Sequence, residues 1–307
     1  MVIRKNICKR IMKIFPSYPN PKNPHLFEVF KTNEYIYGSD EHQKSIRYSS
    51  SFASYNWEYN SKISWMEKYF FPRISPKDLE NKILLDLGSY TGGRITAWTK
   101  KYKLSKGLGL DIDSVFKLAS EEFSNSLNVN NVYFETGVGE NLPYADSSID
   151  FIVSTDVFEH VQDLEMVLNE CYRVLKDGGK LLVAFPQYLQ PLEAHLGKVT
   201  NAIALHWFFS SEIIAAAYNE IIEERKPNSY WYKPISYPLR SWEKLFSLNG
   251  TSIKSFKKLI KNQYWVSRNF KVQPILSDGR KSELLKFKIL SLITFPLAHI
   301  PIINEFF

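Results

Sequence analysis

Residues 82–185 predict an α/β fold, a doubly wound and mostly parallel sheet with helices on both faces. Two observations carry the prediction. Short apolar runs recur, each closed by turn residues or an acid, as strands buried on both faces require. Segments of helical period separate them, and that alternation builds a parallel sheet through right-handed crossovers.

Taken in order, Lys82–Leu87 (KILLDL) reads as the first strand. Gly88–Gly93 (GSYTGG) is a turn, and Ile95, Trp98, Thr99 and Tyr102 mark one helix face. Gly107–Ile112 (GLGLDI) is the second strand. Asp113 or Ser114 caps the next helix, with Val115, Leu118, Ala119 and Phe123 expected on its buried face. Asn131–Thr136 and Ile149–Ser154 are the third and fourth strands. Leu164, Val167, Leu168, Cys171, Tyr172 and Leu175 recur at helical spacing and predict an amphipathic helix stopped by Gly178–Gly179. Lys180–Phe185 is the fifth strand.

The flanks read differently. Ile3, Ile7, Ile11 and Ile14 recur at helical spacing among Arg4, Lys5, Lys9, Arg10 and Lys13, which predicts a basic amphipathic helix. Residues 1–80 form an N-terminal cap, rich in rings: Tyr35, Tyr37, Tyr48, Phe52, Tyr55, Trp57, Tyr59, Trp65, Tyr69 and Phe70. Such rings suit either a packed helical cap or a lid over sugars, phenols or lipids. The core domain spans 81–260 and carries an insertion at 187–240. Its helix Ser210–Glu224 is capped by Ser210 or Ser211, and Pro227, Pro234 and Pro238 then break the chain. Ser241–Leu248 reads as a helix and Ser252–Phe256 as a strand. Residues 261–307 are a basic and apolar extension.

The 307 residues are 44% apolar and 23% charged, which excludes disorder, collagen and coiled coil. The net charge of +7 is uneven. Residues 1–80 hold 13 Lys/Arg against 8 Asp/Glu, residues 81–224 hold 11 against 20, and residues 225–307 hold 15 against 4. Basic ends around an acidic middle read as solvated surface or as attraction to an anionic partner. Cys8 and Cys171 make no disulfide framework, so a reducing, cytoplasmic setting is expected. The start lacks the unbroken apolar stretch of a secretory signal. Residues 289–303 are uncharged but hold Pro296 and Pro301 and fall short of the ~20 residues of a span. A soluble protein is expected, with peripheral membrane contact through the basic and apolar ends as the alternative. Nothing indicates an oligomeric state.

The chemistry sits at the strand ends. After the first strand comes Asp86-x-Gly88-x-Tyr90-x-Gly92, where glycines allow a tight turn and let a ligand approach bare backbone. The helix after Gly92 offers amide N–H groups to a carboxylate or phosphate. Asp111 ends the second strand, where a carboxylate accepts both hydroxyls of a ribose. A dinucleotide fingerprint half-fits the same loop and breaks at Tyr90. No Walker-type Gly-Lys-Ser/Thr follows, which argues against nucleotide hydrolysis.

Four segments in order, ILLDLGSYTGG (83–93), GLDID (109–113), GENLPYADSSIDFIVSTDVFEHVQD (139–163) and YRVLKDGGKLLVAFP (172–186), resemble the class I S-adenosylmethionine-dependent methyltransferases, in particular the bacterial small-molecule type. The resemblance covers about a third of the chain and implies a Rossmann-like fold with S-adenosyl-L-methionine as methyl donor. It implies that Asp86, Gly88, Ser89, Tyr90 and Gly92 hold the methionine portion. Asp111 with Ile112 takes the ribose, the loop of Val138, Gly139 and Glu140 flanks adenine, and Thr155 and Asp156 close the pocket near the sulfonium. Two positions depart from the family pattern. Tyr90 replaces a glycine and is expected to keep ordinary φ/ψ, its ring beside the methionine portion. Val138 stands where an acid often binds the adenine amino group.

An alcohol or amine acceptor needs a base to take its proton. His195 is the first candidate, in a Pro-bounded segment after the fifth strand with Glu193 near it. His160 and His206 are the others, and each also reads as a packing residue. A metal is not expected, since His195 and His206 lack two further ligands. The family's base-methylating members carry an Asn/Asp-Pro-Pro-aromatic motif where this chain reads Ser154–Phe158 (STDVF), which disfavours nucleic acid. The expected activity is methyl transfer to a small-molecule acceptor, with O-methylation of a glycan or lipid-linked precursor favoured. The alternatives are a non-catalytic cofactor- or partner-binding module and an RNA methyltransferase.

Overall fold

The computed structural model describes residues 2–16, 53–62, 65–71, 73–186, 188, 196, 199–202, 204–224 and 249–265. The chain forms two compact units. One joins Met1–Tyr18 to Pro186–Phe307, and the other is Pro19–Phe185. This division differs from boundaries drawn at 80 and 260, because the first helix, α1 (Val2–Ile14), packs with elements from the far end of the chain.

The Pro19–Phe185 unit holds the sheet. Helix α2 (53–62) and the short helices α3 (Trp65–Tyr69) and α4 (Pro76–Leu79) precede it. Then follow β1 (Ile83–Leu87), α5 (Gly93–Lys101), β2 (Lys106–Asp111), α6 (Ser114–Ser126), β3 (Val132–Thr136), β4 (Ile149–Thr155), α7 (Leu164–Val174) and β5 (Leu175–Ala184). The five strands are parallel in the order β3-β2-β1-β4-β5. The doubly wound α/β expectation therefore holds. β1 and β2 are apolar and buried along most of their length, whereas the edge strand β3 alternates buried and exposed residues. Leu84, Ile95, Trp98, Phe134 and Val153 centre the core on one face of the sheet. From β1 the chain winds one way to β2 and β3, then returns to lay β4 on the other side of β1. A crevice opens at the C-terminal strand ends at such a reversal.

Three details of this unit differ from expectation. In α6 the buried side chains are Phe116, Ala119, Ser120 and Ser124, and Leu118 is exposed. The serines can face inward because Ser120 Oγ donates to the Phe116 carbonyl at 2.6 Å and Ser124 Oγ to that of Glu121 at 3.1 Å. In α7 Tyr172 is exposed and Val174 is buried. The helix also ends at Val174, before the glycines. Leu175 already pairs with Ile149, and the register then shifts so that Lys180 pairs with Phe151. Gly178, at φ 75°, belongs to that bulge and not to a helix cap.

In the other unit α1 packs on α9 (Ser211–Glu223), and the short helix α8 (Leu205–Phe208) precedes α9. Cys8, Met12, Ile214, Tyr218 and Ile222 are fully buried together. The expected basic amphipathic helix is present, and it buries Cys8 and Met12 while Ile3, Ile7 and Ile14 are exposed. Lys5 and Lys9 pair with Glu220, and Lys9 and Lys13 with Glu224. Pro16 and Thr200 form one antiparallel bridge. Residues expected as a strand at 252–256 are instead the start of α10 (Ile253–Lys261). Ser252 accepts from the Ser255 amide at 3.2 Å and Ser255 Oγ accepts from the Ser252 amide at 2.9 Å, a reciprocal cap that starts a helix. The expected helix 241–248 lies outside the described residues, as do Tyr35, Tyr37, Tyr48 and Phe52.

Candidate functional site

The strand ends of the sheet unit carry a compact polar site. The Gly88 and Ser89 amides both donate to the Leu110 carbonyl, at 2.8 and 2.9 Å, which folds the glycine turn onto β2. Gly88 has φ 79°, and a Cβ there would lie 2.1 Å from Val157 Cγ2. Gly92 has φ 72°, and its Cβ would lie 2.5 Å from Ser120. Both positions need glycine for handedness and for space. Tyr90, between them, also takes the left-handed region at φ 50°. The expectation of ordinary backbone angles fails here, at a cost of ~1–2 kcal/mol. Two contacts offset the strain. The Tyr90 amide donates to Asp111 Oδ2 at 2.7 Å, and its ring meets Phe116 edge-on with centroids 4.3 Å apart.

Asp86 is fully buried and holds Arg94 in two bonds, from Nε at 2.9 Å and from Nη2 at 2.6 Å. Arg94 Nη2 also donates to the Gly88 carbonyl at 3.2 Å, and Nη1 to Thr155 Oγ1. One guanidinium thus ties β1, the glycine turn and the end of β4 together. Burial pushes the Asp86 carboxyl up, and Arg94 pulls it back. Burial disfavours the Arg94 charge, but Asp86 more than offsets it, so the guanidinium holds its proton more tightly than usual. The geometry is that of a bidentate ion pair. Sequence reasoning missed Arg94. Its signal was a cation in the first turn of α5, where the helix dipole opposes positive charge unless a carboxylate is near.

Asp111 is half-buried at the end of β2, with burial raising its pKa against the Tyr90, Asp113 and Ile112 amides. Ile112 and Val138 are exposed apolar residues on the loops after β2 and β3. Asp156 follows β4 at φ 57° and is exposed, although protein crowds around its carboxyl. Burial raises its carboxyl and Arg94 opposes that rise. In the glycine turn Thr91 Oγ1 is buried and finds no hydrogen-bond partner among the described residues.

Other expected site residues are committed elsewhere. Glu140 Oε1 accepts from the Gln162 and Asp163 amides at 2.8 and 3.2 Å, so it anchors the turn before α7. Gly139 packs against Val167. The Leu142–Asp146 segment is clipped to α7 by Arg173, which donates to the carbonyls of Leu142 and Tyr144 and to Asp146. His160 sits in the turn after β4, its Nε2 3.6 Å from Glu159 Oε1. His206 lies in the other unit among rings, 6.4 Å from Tyr188 and 6.1 Å from Trp207 by centroid. His195 and Glu193 lie outside the described residues.

With this geometry in place, residues 85–183 match the family profile described as a methyltransferase domain. Through that segment the chain is similar to the class I S-adenosylmethionine-dependent methyltransferases. The same core is 33% identical over 125 residues to the ubiquinone/menaquinone biosynthesis C-methyltransferase UbiE of Klebsiella pneumoniae, covering 40% of this chain and 49% of that one. It is 33% identical over 120 residues to malonyl-[acyl-carrier protein] O-methyltransferase 1 of Coxiella burnetii, covering 38% and 36%. A solved S-adenosylmethionine-dependent methyltransferase from Aquifex aeolicus overlaps 43% of this chain and 71% of its own, with 22% identity and a TM-score of 0.34. The chain spans at most about half the length of these two curated methyltransferases.

Proposed function

We propose that this chain transfers a methyl group from S-adenosylmethionine to a small-molecule acceptor. The observation that carries the reading is the pair of carboxylates, Asp86 and Asp111, at the ends of neighbouring strands with the Gly88–Gly92 turn between them. The residues present fit that ligand. Asp86 positions Arg94, whose guanidinium offers a cation to the carboxylate of the amino-acid end, and the Thr91 hydroxyl of the glycine turn offers a donor with no partner among the described residues. Asp111 keeps acceptor capacity for ribose hydroxyls, and Ile112 and Val138 offer apolar contact to an adenine ring. Bound there, S-adenosylmethionine would supply an electrophilic methyl group on a sulfonium. The protein's own part is to orient the two reactants and exclude water.

O-methylation of a glycan or lipid-linked precursor is the acceptor chemistry we favour, with His195 as the base that takes the acceptor's proton and His160 and His206 as the other candidates. The two relatives methylate carbon and oxygen respectively by name, so the core alone admits both. A lipid-linked acceptor would be met at a membrane surface. The insertion 187–240 and the cap 1–80 would set acceptor choice.

Asp111→Ala tests the reading. Charge-assisted hydrogen bonds are worth ~1.5–3 kcal/mol, so calorimetric affinity for S-adenosylhomocysteine should fall by about tenfold or more. Unchanged affinity would remove Asp111 from the site, and no measurable binding in the unaltered protein would overturn the proposal.

A further inference from the structure

The first helix has two faces, and among the described residues one of them packs into the protein. Cys8 and Met12 are buried, and Lys5, Lys9 and Lys13 reach the glutamates of α9. On the opposite side Ile3, Ile7 and Ile14 are 76%, 47% and 67% exposed. Together with exposed Arg10 they repeat at alternating steps of four and three, which is a single stripe along a helix. Arg4 flanks the stripe and its Nη2 donates to the Phe208 carbonyl at 2.7 Å, which fixes the end of α8 beside the start of α1. There Phe208 is 67% exposed and Trp207 39% exposed. The apolar patch therefore runs across two elements and is edged by arginine.

We propose that this face, Ile3, Ile7 and Ile14 with Trp207 and Phe208, docks the protein on a bilayer surface containing anionic phospholipid. The proposal stands apart from methyl transfer, since none of these residues lies in the sheet unit. The chemistry selects this occupant over others. Aliphatic side chains sink into the headgroup boundary, aromatic rings settle at that depth, and arginines reach the phosphates. The described residues named on this face, Ile3, Ile7, Arg10 and Ile14 with Trp207 and Phe208, include arginine and no carboxylate. The nearby Glu220 and Glu224 are already taken by the lysines on the other side of α1. A two-fold pairing of this face with a second copy would set arginine against arginine. Nucleic acid would leave three isoleucines without a partner.

The test is co-sedimentation of the full chain with vesicles of phosphatidylcholine alone and of phosphatidylcholine mixed with phosphatidylglycerol. Capture by the mixed vesicles, weak capture by the neutral ones and release by salt are expected. Changing Ile3, Ile7 and Ile14 together to Ser should weaken capture by about tenfold or more, since three apolar side chains leave the interface. Arg10→Glu alone should weaken it by about fivefold or more. Because these residues are exposed, circular dichroism and affinity for S-adenosylhomocysteine should stay unchanged in both variants. Equal capture of both vesicle types, or full capture of the triple variant, overturns the proposal. So does absence of vesicle capture together with a concentration-dependent dimer that the triple variant abolishes, which would make a second copy the occupant.

Discussion

The two units hold charge in opposite ways. In the sheet unit, Arg94 and Asp86 pair inside the protein, with side chains 15% and 0% exposed. Between α1 and α9, Lys9 and Glu220 pair at 2.7 Å on the rim of an apolar core, and Glu220 remains 31% exposed. A buried pair costs several kcal/mol of desolvation per ion and is weak evidence of stability, but breaking it is severe because the survivor stays buried and unpaired. A rim pair costs little and contributes little. The sheet unit thus accepts an expensive pair where two strand ends and a glycine turn are tied together. The helical unit leaves its cohesion to Met12, Cys8 and Tyr218.

The largest expected effect breaks the first half of that comparison. Arg94→Ala should destabilise the sheet unit by ~3–5 kcal/mol in urea unfolding, and it should lose S-adenosylhomocysteine binding as well. A loss below about 1 kcal/mol would mean that water reaches Asp86 freely. Next, Met12→Ala should cost ~2–5 kcal/mol by leaving a cavity beside α9, without changing ligand affinity. An intact transition would show that α1 contributes little to its unit.

A smaller effect depends on pH. The hydrogen bond from Arg173 holds the Glu170 carboxyl below its ordinary 4.5. A carboxyl depressed in the folded state stabilises above its unfolded value, and that contribution is lost as pH falls through the folded one. Glu170→Gln should therefore lower the urea midpoint at neutral pH and leave it unchanged well below pH 4.5. A difference that persisted in acid would point to the Leu142 amide bond, 2.8 Å long, as the group that matters. The smallest effect is expected at the rim. Lys9→Ala should cost less than ~1 kcal/mol, and less still at high salt. A loss comparable to that of Arg94→Ala would erase the contrast between the units.

The strand series was legible because strands buried on both faces leave little choice but Leu, Ile, Val and Phe. Asp86, Gly88, Gly92 and Asp111 were legible because turn handedness and strand ends constrain residue type locally. Tyr90 was misjudged at the backbone level, since its left-handed φ is held by Asp111 and Phe116, partners that local sequence cannot supply. Glu140 also serves the local structure in a way the sequence did not show, because its Oε1 meets amides 22 and 23 residues later. The expected strand at 252–256 failed because two serines three residues apart cap a helix, and capping outweighed the short apolar pattern.

By itself the sequence determined the parallel sheet and the placing of acids and glycines at its edge, because periodicity and turn chemistry act over a few residues. Only the tertiary structure decided that Arg94 closes on Asp86, that Arg173 clips the loop after β3, and that α1 buries Cys8 and Met12 while turning its isoleucines outward. Each of those outcomes depends on which distant surface the fold brings alongside. Helical spacing defines a stripe of side chains but not the partner that covers it.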